Sequence, residues 1–167
     1  MQLEDVYKLY MNDLYRYLLS LSKDHHIAED LVQEAYYRAF LTLEDHEIPH
    51  IKAWLFRVAY NAFIDHQRKN KRLVMKEQID DEHLSAHTVT PEGSILEKES
   101  MQSLFDDLDI LKEKEKHAVM LCDFHELSYQ EAADIIGLNM NTFKSHLSRA
   151  RKKLMARVKE RMNRDEE

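Results

Sequence analysis

An all-α chain of two small helical domains joined by a flexible acidic linker is the fold class this sequence predicts, and three observations predict it. Gly and Pro occur only twice each in 167 residues, while Leu, Ala, Glu, Lys, Met and Arg abound, a composition that favours helix over strand. Apolar residues recur at three- and four-residue steps along most of the chain, the period of helices with one buried face. From about residue 73 to residue 93 that period fades, and DDEHLSAHTVTPEGS supplies polar residues with both a Pro and a Gly, the make-up of a linker. Residues 1–73 are therefore expected to form one domain, 74–95 the linker and 96–167 a second domain carrying a helix-turn-helix.

The elements follow in order. Over residues 3–22, Leu3, Val6, Tyr7, Tyr10, Leu14, Leu18 and Leu21 share helical spacing and predict a first helix with a buried stripe. A second helix is expected over about 26–43, where Glu29, Asp30 and Glu34 alternate with Leu31, Val32 and Ala35. HEIPH, with Pro49, breaks the pattern, and IKAWLFRVAYNAFIDHQRKNKR predicts a third helix from residue 51 to about 71. Helical spacing resumes over 94–122, and a last helical segment runs from 127 to about 162.

Charge is distributed in blocks. The formal net charge of -7 divides into -6 for residues 1–50, +6 for 51–76, -12 for 77–135 and +5 for 136–167. Two basic patches alternating with two acidic blocks suit a protein that touches nucleic acid at two places. No run of about 18 apolar residues is present to span a membrane, and MQLEDVYKLY lacks the order of a secretory signal, so a cytoplasmic protein is expected. The single cysteine, Cys122, lies in the apolar run AVMLCDF and reads as a buried structural thiol. Ten histidines include the pairs His25-His26 and His46…His50, yet no Cys, His and carboxylate set has metal-ligand spacing, and no glycine-rich phosphate loop occurs. The expectation is no catalytic residues, no metal, no cofactor and no small-molecule substrate.

The most informative stretch is LSYQEAADIIGLNMNTFKSHLSRARKKL, residues 127–154. Ser128 followed by Glu131 is a capping box, and Gly137 supplies a left-handed residue to end the short helix it starts. Asn139 or Asn141 can cap the next helix. On that second helix, Met140, Phe143, Leu147, Ala150 and Leu154 form the core stripe, while Asn141, Ser145, Ser148, Arg149 and Lys152 lie opposite, flanked by Thr142 and Lys144. No acid occurs from Asn139 to Lys159. Such a helix can enter the DNA major groove, where Arg reads guanine and Asn reads adenine. Lys144, Arg151 and Lys153 would then sit nearer phosphates.

In the other basic patch, WLFRVAYNAFIDHQRKNKR, one face carries Leu55, Val58, Ala59 and Ala62, and another carries Trp54, Arg57, Asn61, Asp65, Arg68 and Arg72. An aromatic, an amide and several cations, Lys69 among them, are the equipment for holding unstacked single-stranded bases. Asp65 at helical spacing from Arg68 and Lys69 could instead form an ordinary helix ion pair, and Trp54 could pack between helices.

Taken together, these segments resemble the extracytoplasmic-function (ECF) sigma factors of the sigma-70 family, the smallest class of promoter-specificity subunits of bacterial RNA polymerase. AEDLVQEAYYRAF resembles the family's polymerase-binding helix, WLFRVAYNAFIDHQRK the helix that opens and reads the minus-ten promoter element, and residues 127–154 the minus-thirty-five reader. The resemblance implies that Asp30, Gln33 and Glu34 help dock on the clamp helices of core polymerase. It implies that Asn61 meets a flipped-out base of the non-template strand, with Arg57 and Arg68 on the neighbouring backbone, and that Thr142, Lys144, Ser145, Arg149 and Arg151 belong to the recognition helix. Core RNA polymerase, promoter DNA and an anti-sigma factor, often membrane-anchored in the family, are the implied partners. Phe143, His146 and Ala133 depart from the family, which more often has valine, a basic residue and isoleucine there. The rival reading is a stand-alone helix-turn-helix regulator, which would explain residues 127–154 but leave the Trp54 face and the acidic second helix without a shared purpose.

Overall fold

In the computed structural model, described for residues 2–77 and 95–166, all regular structure is helical. Seven α-helices and one π-helical turn are present among the described residues: α1 (Leu3–Ser22), α2 (His25–Asp45), α3 (Ile51–Glu77), α4 (Ile95–Asp109), α5 (Glu113–Val119), the π turn (Met120–Phe124), α6 (Tyr129–Ile136) and α7 (Met140–Asp165). They fall into two compact units, one within residues 1–90 and one within 91–167. Most of the expected linker, 78–94, lies outside the described residues. Its first residues, 74–77, continue α3 past the end near 71 that the spacing suggested.

The first unit is a three-helix assembly. Lys23 adopts a left-handed conformation that closes α1, its amide donating to the Leu19 carbonyl at 2.7 Å. Asp24 then caps α2, its side chain accepting from the amides of His26 and Ile27 at 2.8 and 3.1 Å, which leaves a two-residue connection and forces α1 and α2 to lie side by side. The face of α2 that meets the core is built of Ala28, Leu31, Val32, Ala35 and Ala39, small enough for close helix approach. Val6, Leu14 and Leu18 of the expected α1 stripe are buried, but Tyr7 is exposed, and Tyr17 and Leu19 are buried without having been part of the stripe. Tyr17 packs on Phe56 of α3 with ring centroids 5.2 Å apart. Leu55, Val58, Ala59 and Ala62 are buried as their spacing predicts, joined by Phe56 and Phe63.

In the second unit the spacing of 94–122 suggested one helical stretch, and the structure breaks it at Ile110–Lys112. The break is capped: Glu115, in the first turn of α5, accepts from the Lys112 amide at 3.1 Å. α5 then widens into the π turn, where the His125 amide reaches the Met120 carbonyl at 3.0 Å. The helix-turn-helix has the local chemistry expected of it. Ser128 Oγ accepts from the Glu131 amide at 3.1 Å and Glu131 Oε1 from the Ser128 amide at 3.0 Å. Gly137 sits at φ 81°, and its amide and that of Leu138 both reach the Ala133 carbonyl. Of the two candidate caps for α7, Asn139 serves, accepting from the Thr142 amide at 2.8 Å. Phe143, Leu147 and Ala150 are buried against α5 and α6, with Met140 and Leu154 at the edge of the core. Cys122 is half-buried, and burial, then the nearby Asp123 carboxylate, pushes its thiol up to about 11, so it stays protonated at neutral pH.

Candidate nucleic-acid interface

Two helix faces carry the expected DNA-binding residues, and each is presented by a buried opposite side. On α3 the burial of Leu55, Val58, Ala59 and Ala62 turns Arg57, Asn61, Arg68, Lys69 and Arg72 to solvent. Trp54 lies in line with Asn61 along the same face and is half-buried, so part of its ring is held by the unit and part remains accessible. Asp65 makes no ion pair with Arg68 or Lys69, which leaves the cations of this face without an internal acidic partner among the described residues.

On α7, Asn141, Lys144, Ser145, Ser148, Arg149, Arg151 and Lys152 are exposed, and Thr142 is half-buried beside the cap. Ser145 Oγ donates to the Asn141 carbonyl one turn back at 3.1 Å, a bond it can exchange for a DNA acceptor. Three of the cations are engaged within the unit. Arg151 forms a two-point bond to Asp123 at 2.7 and 3.0 Å, donates to the Tyr129 hydroxyl at 3.1 Å and lies over the Tyr129 ring. Those bonds, to Asp123 first and Tyr129 second, raise its affinity for its proton further. Lys153, placed near phosphates by the sequence pattern, instead donates to Glu115 at 2.7 Å. Arg149 Nε lies 3.4 Å from the second Glu115 oxygen. Farther along, Arg157 and Arg161 both bond Asp107 of α4. Lys144 and Lys152 have no ion-pair partner among the described residues.

Glu115 organises this arrangement and escaped the sequence reading. Its side chain is 0% exposed, yet burial, which alone would raise its pKa, is outweighed by hydrogen bonds from Lys153 and the Lys112 amide and by Arg149, so the carboxyl sits below its ordinary value and stays ionised. The one local signal, a Glu placed to cap a helix start, was masked by apolar spacing that runs on through Ile110–Lys112. That it would also meet α7, 34 residues away, is not encoded in any local pattern.

The polymerase-facing candidates lie together on α2. Asp30, Gln33 and Glu34 are exposed on one side, with Glu34 paired to Arg38 at 2.7 Å. Tyr37, 60% exposed, and Leu41 continue the same side at helical spacing, with Phe40 next to it. The sequence reading saw the acids there and missed these apolar residues.

No helix among the described residues is long and apolar enough to cross a membrane, and no group of three or more potential metal ligands is gathered among them.

The pattern described as Sigma-70 region 2 matches residues 6–73, and that described as Sigma-70, region 4 matches residues 108–154. The ECF RNA polymerase sigma factor SigM of Bacillus subtilis is 37% identical over 93% of this chain and 94% of its own length. The chain belongs to the ECF sigma factors. ECF sigma factor SigE of Mycolicibacterium smegmatis is 30% identical over 90% of the chain, which spans 59% of that longer relative. The sigma factor RpoE of Bartonella quintana, solved in complex with the anti-sigma factor NepR, superposes with a TM-score of 0.75 at 30% identity, covering 93% of this chain and 96% of that one. An ECF sigma factor is a promoter-specificity subunit of RNA polymerase, and having both regions in one chain rules out the stand-alone regulator, which would need only the second.

Proposed function

We propose that this ECF sigma factor divides its work between the two units as follows. The first, expected over residues 1–73, docks on core polymerase through Asp30, Gln33 and Glu34, with Tyr37 and Leu41 supplying apolar contact on the same side of α2. It holds the opened minus-ten strand on α3: Asn61 takes a flipped base, Trp54 stacks, and Arg57, Arg68, Lys69 and Arg72 neutralise the strand's phosphates. The second, expected over 96–167, lays α7 in the major groove of the minus-thirty-five element. There Asn141, Thr142, Ser145, Ser148 and Arg149 face bases, while Lys144 and Lys152 meet the backbone and Arg151, held by Asp123 and Tyr129, stands beside it as a reserve cation.

The observation that carries this reading is the pair of solvent-facing cationic helix faces, one with an aromatic and an amide in line and one free of acids, each on its own compact unit. The chemistry of transcription belongs to polymerase, and the sigma factor contributes binding and strand separation. A cytoplasmic location fits that task. The RpoE–NepR complex supports an anti-sigma factor, free or membrane-anchored, as the regulator of this chain too.

The test is transcription by purified chain and bacterial core polymerase from a randomised promoter library. Transcripts sharing two upstream elements at a fixed spacing are expected. Sequence-specific binding by the free chain without initiation by any core would overturn the assignment of roles.

A further inference from the structure

A buried glutamate bonds Lys153 and faces Arg149, two cations of the helix proposed to read bases. We infer that Glu115 and His146 are positioning residues for Arg149, fixing its guanidinium so that its outer edge is aimed at a single base of the minus-thirty-five element; this rests on α7 being the recognition helix.

The geometry supports it from two sides. Arg149 Nε faces Glu115 Oε2 at 3.4 Å, and Arg149 Nη2 lies 3.1 Å from His146 Nδ1, one turn earlier on α7. Nε and Nη2 share one edge of the planar fork, so contacts at those two atoms leave Nη1 and the second Nη2 hydrogen for a partner outside the unit. Two parallel N–H groups are what a bidentate contact to guanine O6 and N7 needs. Arg149 is 52% exposed, so without these contacts it would sample many rotamers and lose entropy on meeting a base.

Glu115 is suited to the task because it cannot follow Arg149 outward. Its Oε1 is bonded to the Lys112 amide and to Lys153, which fixes the carboxylate plane and leaves Oε2, which makes no hydrogen bond, toward Arg149. His146 is suited because partial burial first, and the neighbouring Arg149 second, hold its pKa below the ordinary value. A neutral ring can accept from a guanidinium, whereas a lysine at this position would repel it.

The experiment uses the full chain with core polymerase and a library randomised across the upstream element. Arg149→Ala is expected to erase preference at one position by about five- to a hundredfold. Glu115→Gln keeps an oxygen acceptor for the Lys112 amide and Lys153, removes the negative charge that Lys153 and Arg149 share, and turns an NH2 donor toward Arg149. It should weaken preference at that same position, leave the other positions intact, and add nothing once Arg149 is alanine. His146→Lys, a change at a half-exposed residue, should act in the same direction without disturbing the core. A Glu115→Gln effect spread evenly over all positions, or persisting in the Arg149→Ala background, would show a purely structural role and overturn the inference. If Arg149→Ala shifts one position but neither Glu115→Gln nor His146→Lys does, positioning fails while the recognition helix stands. If Arg149→Ala shifts none, Arg149 reads no base and both fail.

Discussion

The α3 and α7 faces are both basic, but their charges are held differently. On α3, Arg57, Arg68, Lys69 and Arg72 have no acidic partner among the described residues, and the one nearby acid, Asp65, leaves them alone. On α7, Arg149, Arg151, Lys153, Arg157 and Arg161 are each drawn to a carboxylate of the same unit, and Lys144 and Lys152 remain open. The difference suits the two tasks. A duplex has fixed groove geometry, so a reader that is preset loses little entropy on docking, whereas a separated strand has no fixed shape and is better met by long, unrestrained side chains. It also changes what holds each unit together: aromatic and aliphatic packing in the first, packing plus buried charge in the second.

The largest effects should come from the packing both units share. Phe56→Ala in the first and Phe143→Ala in the second, each at a fully buried ring, should cost about 3–5 kcal/mol. Hydrogen exchange read along the chain should show protection lost in the mutated unit first; equal loss in both units would break the picture of two separately built bodies.

The charge-based half of the comparison predicts that the second unit is the acid-sensitive one between about pH 7 and pH 5. His117 is buried, and that burial, then the adjacent Lys116, lowers its pKa from 6.5 to about 4. A group whose folded pKa is depressed gives stability that is present above the unfolded value and lost as pH falls toward the folded one. The loss here should be about 2 kcal/mol by pH 5, before most carboxylates titrate. Denaturant melts of the full chain at the two pH values, with and without His117→Gln, check it. An unchanged pH dependence in the variant would remove His117 from the account.

The same contrast explains what the sequence made legible. The capping box at Ser128, the left-handed Gly137 and the buried Phe143, Leu147 and Ala150 were readable because each is set within a turn or two of chain. So was the whole exposed face of α3, which needs only one helix and one buried side. What was not readable joins distant segments. Glu115 to Arg149 and Lys153, Asp123 to Arg151 and Asp107 to Arg157 span 28 to 50 residues, and no periodicity reports them. Lys153 was accordingly expected at a phosphate and stands instead on Glu115. The break at Ile110–Lys112 was hidden for a related reason: apolar spacing continued through it, and the turn is held by Glu115, whose role depends on α7.

Next in size are the effects on strand opening. Trp54→Ala and Asn61→Ala should each slow promoter opening about tenfold or more, the scale of one lost stacking or base contact. A template already melted across the minus-ten element should recover most of the loss for contacts that drive separation. Permanganate reactivity of the opened bases measures it, and equal defects on closed and pre-melted templates would return Trp54 to a packing role.

The smallest effects should distinguish held from open cations. Lys144→Ala or Lys152→Ala should reduce the slope of log affinity against log salt by about 0.9 for duplex binding, the value of one phosphate contact. Arg151 should behave otherwise, because its guanidinium is already taken by Asp123 and Tyr129. Asp123→Asn weakens that hold and offers Arg151 to the duplex, so it should steepen the slope by up to about 0.9, whereas Arg151→Ala should change the slope little and lower the melting temperature instead. Measured on polymerase-bound sigma factor with a fixed promoter, a fall in slope for Arg151→Ala equal to that for Lys152→Ala would mean that DNA displaces Asp123. The α7 face would then be as open as that of α3, and the contrast between the two readers would reduce to the Glu115 contacts alone.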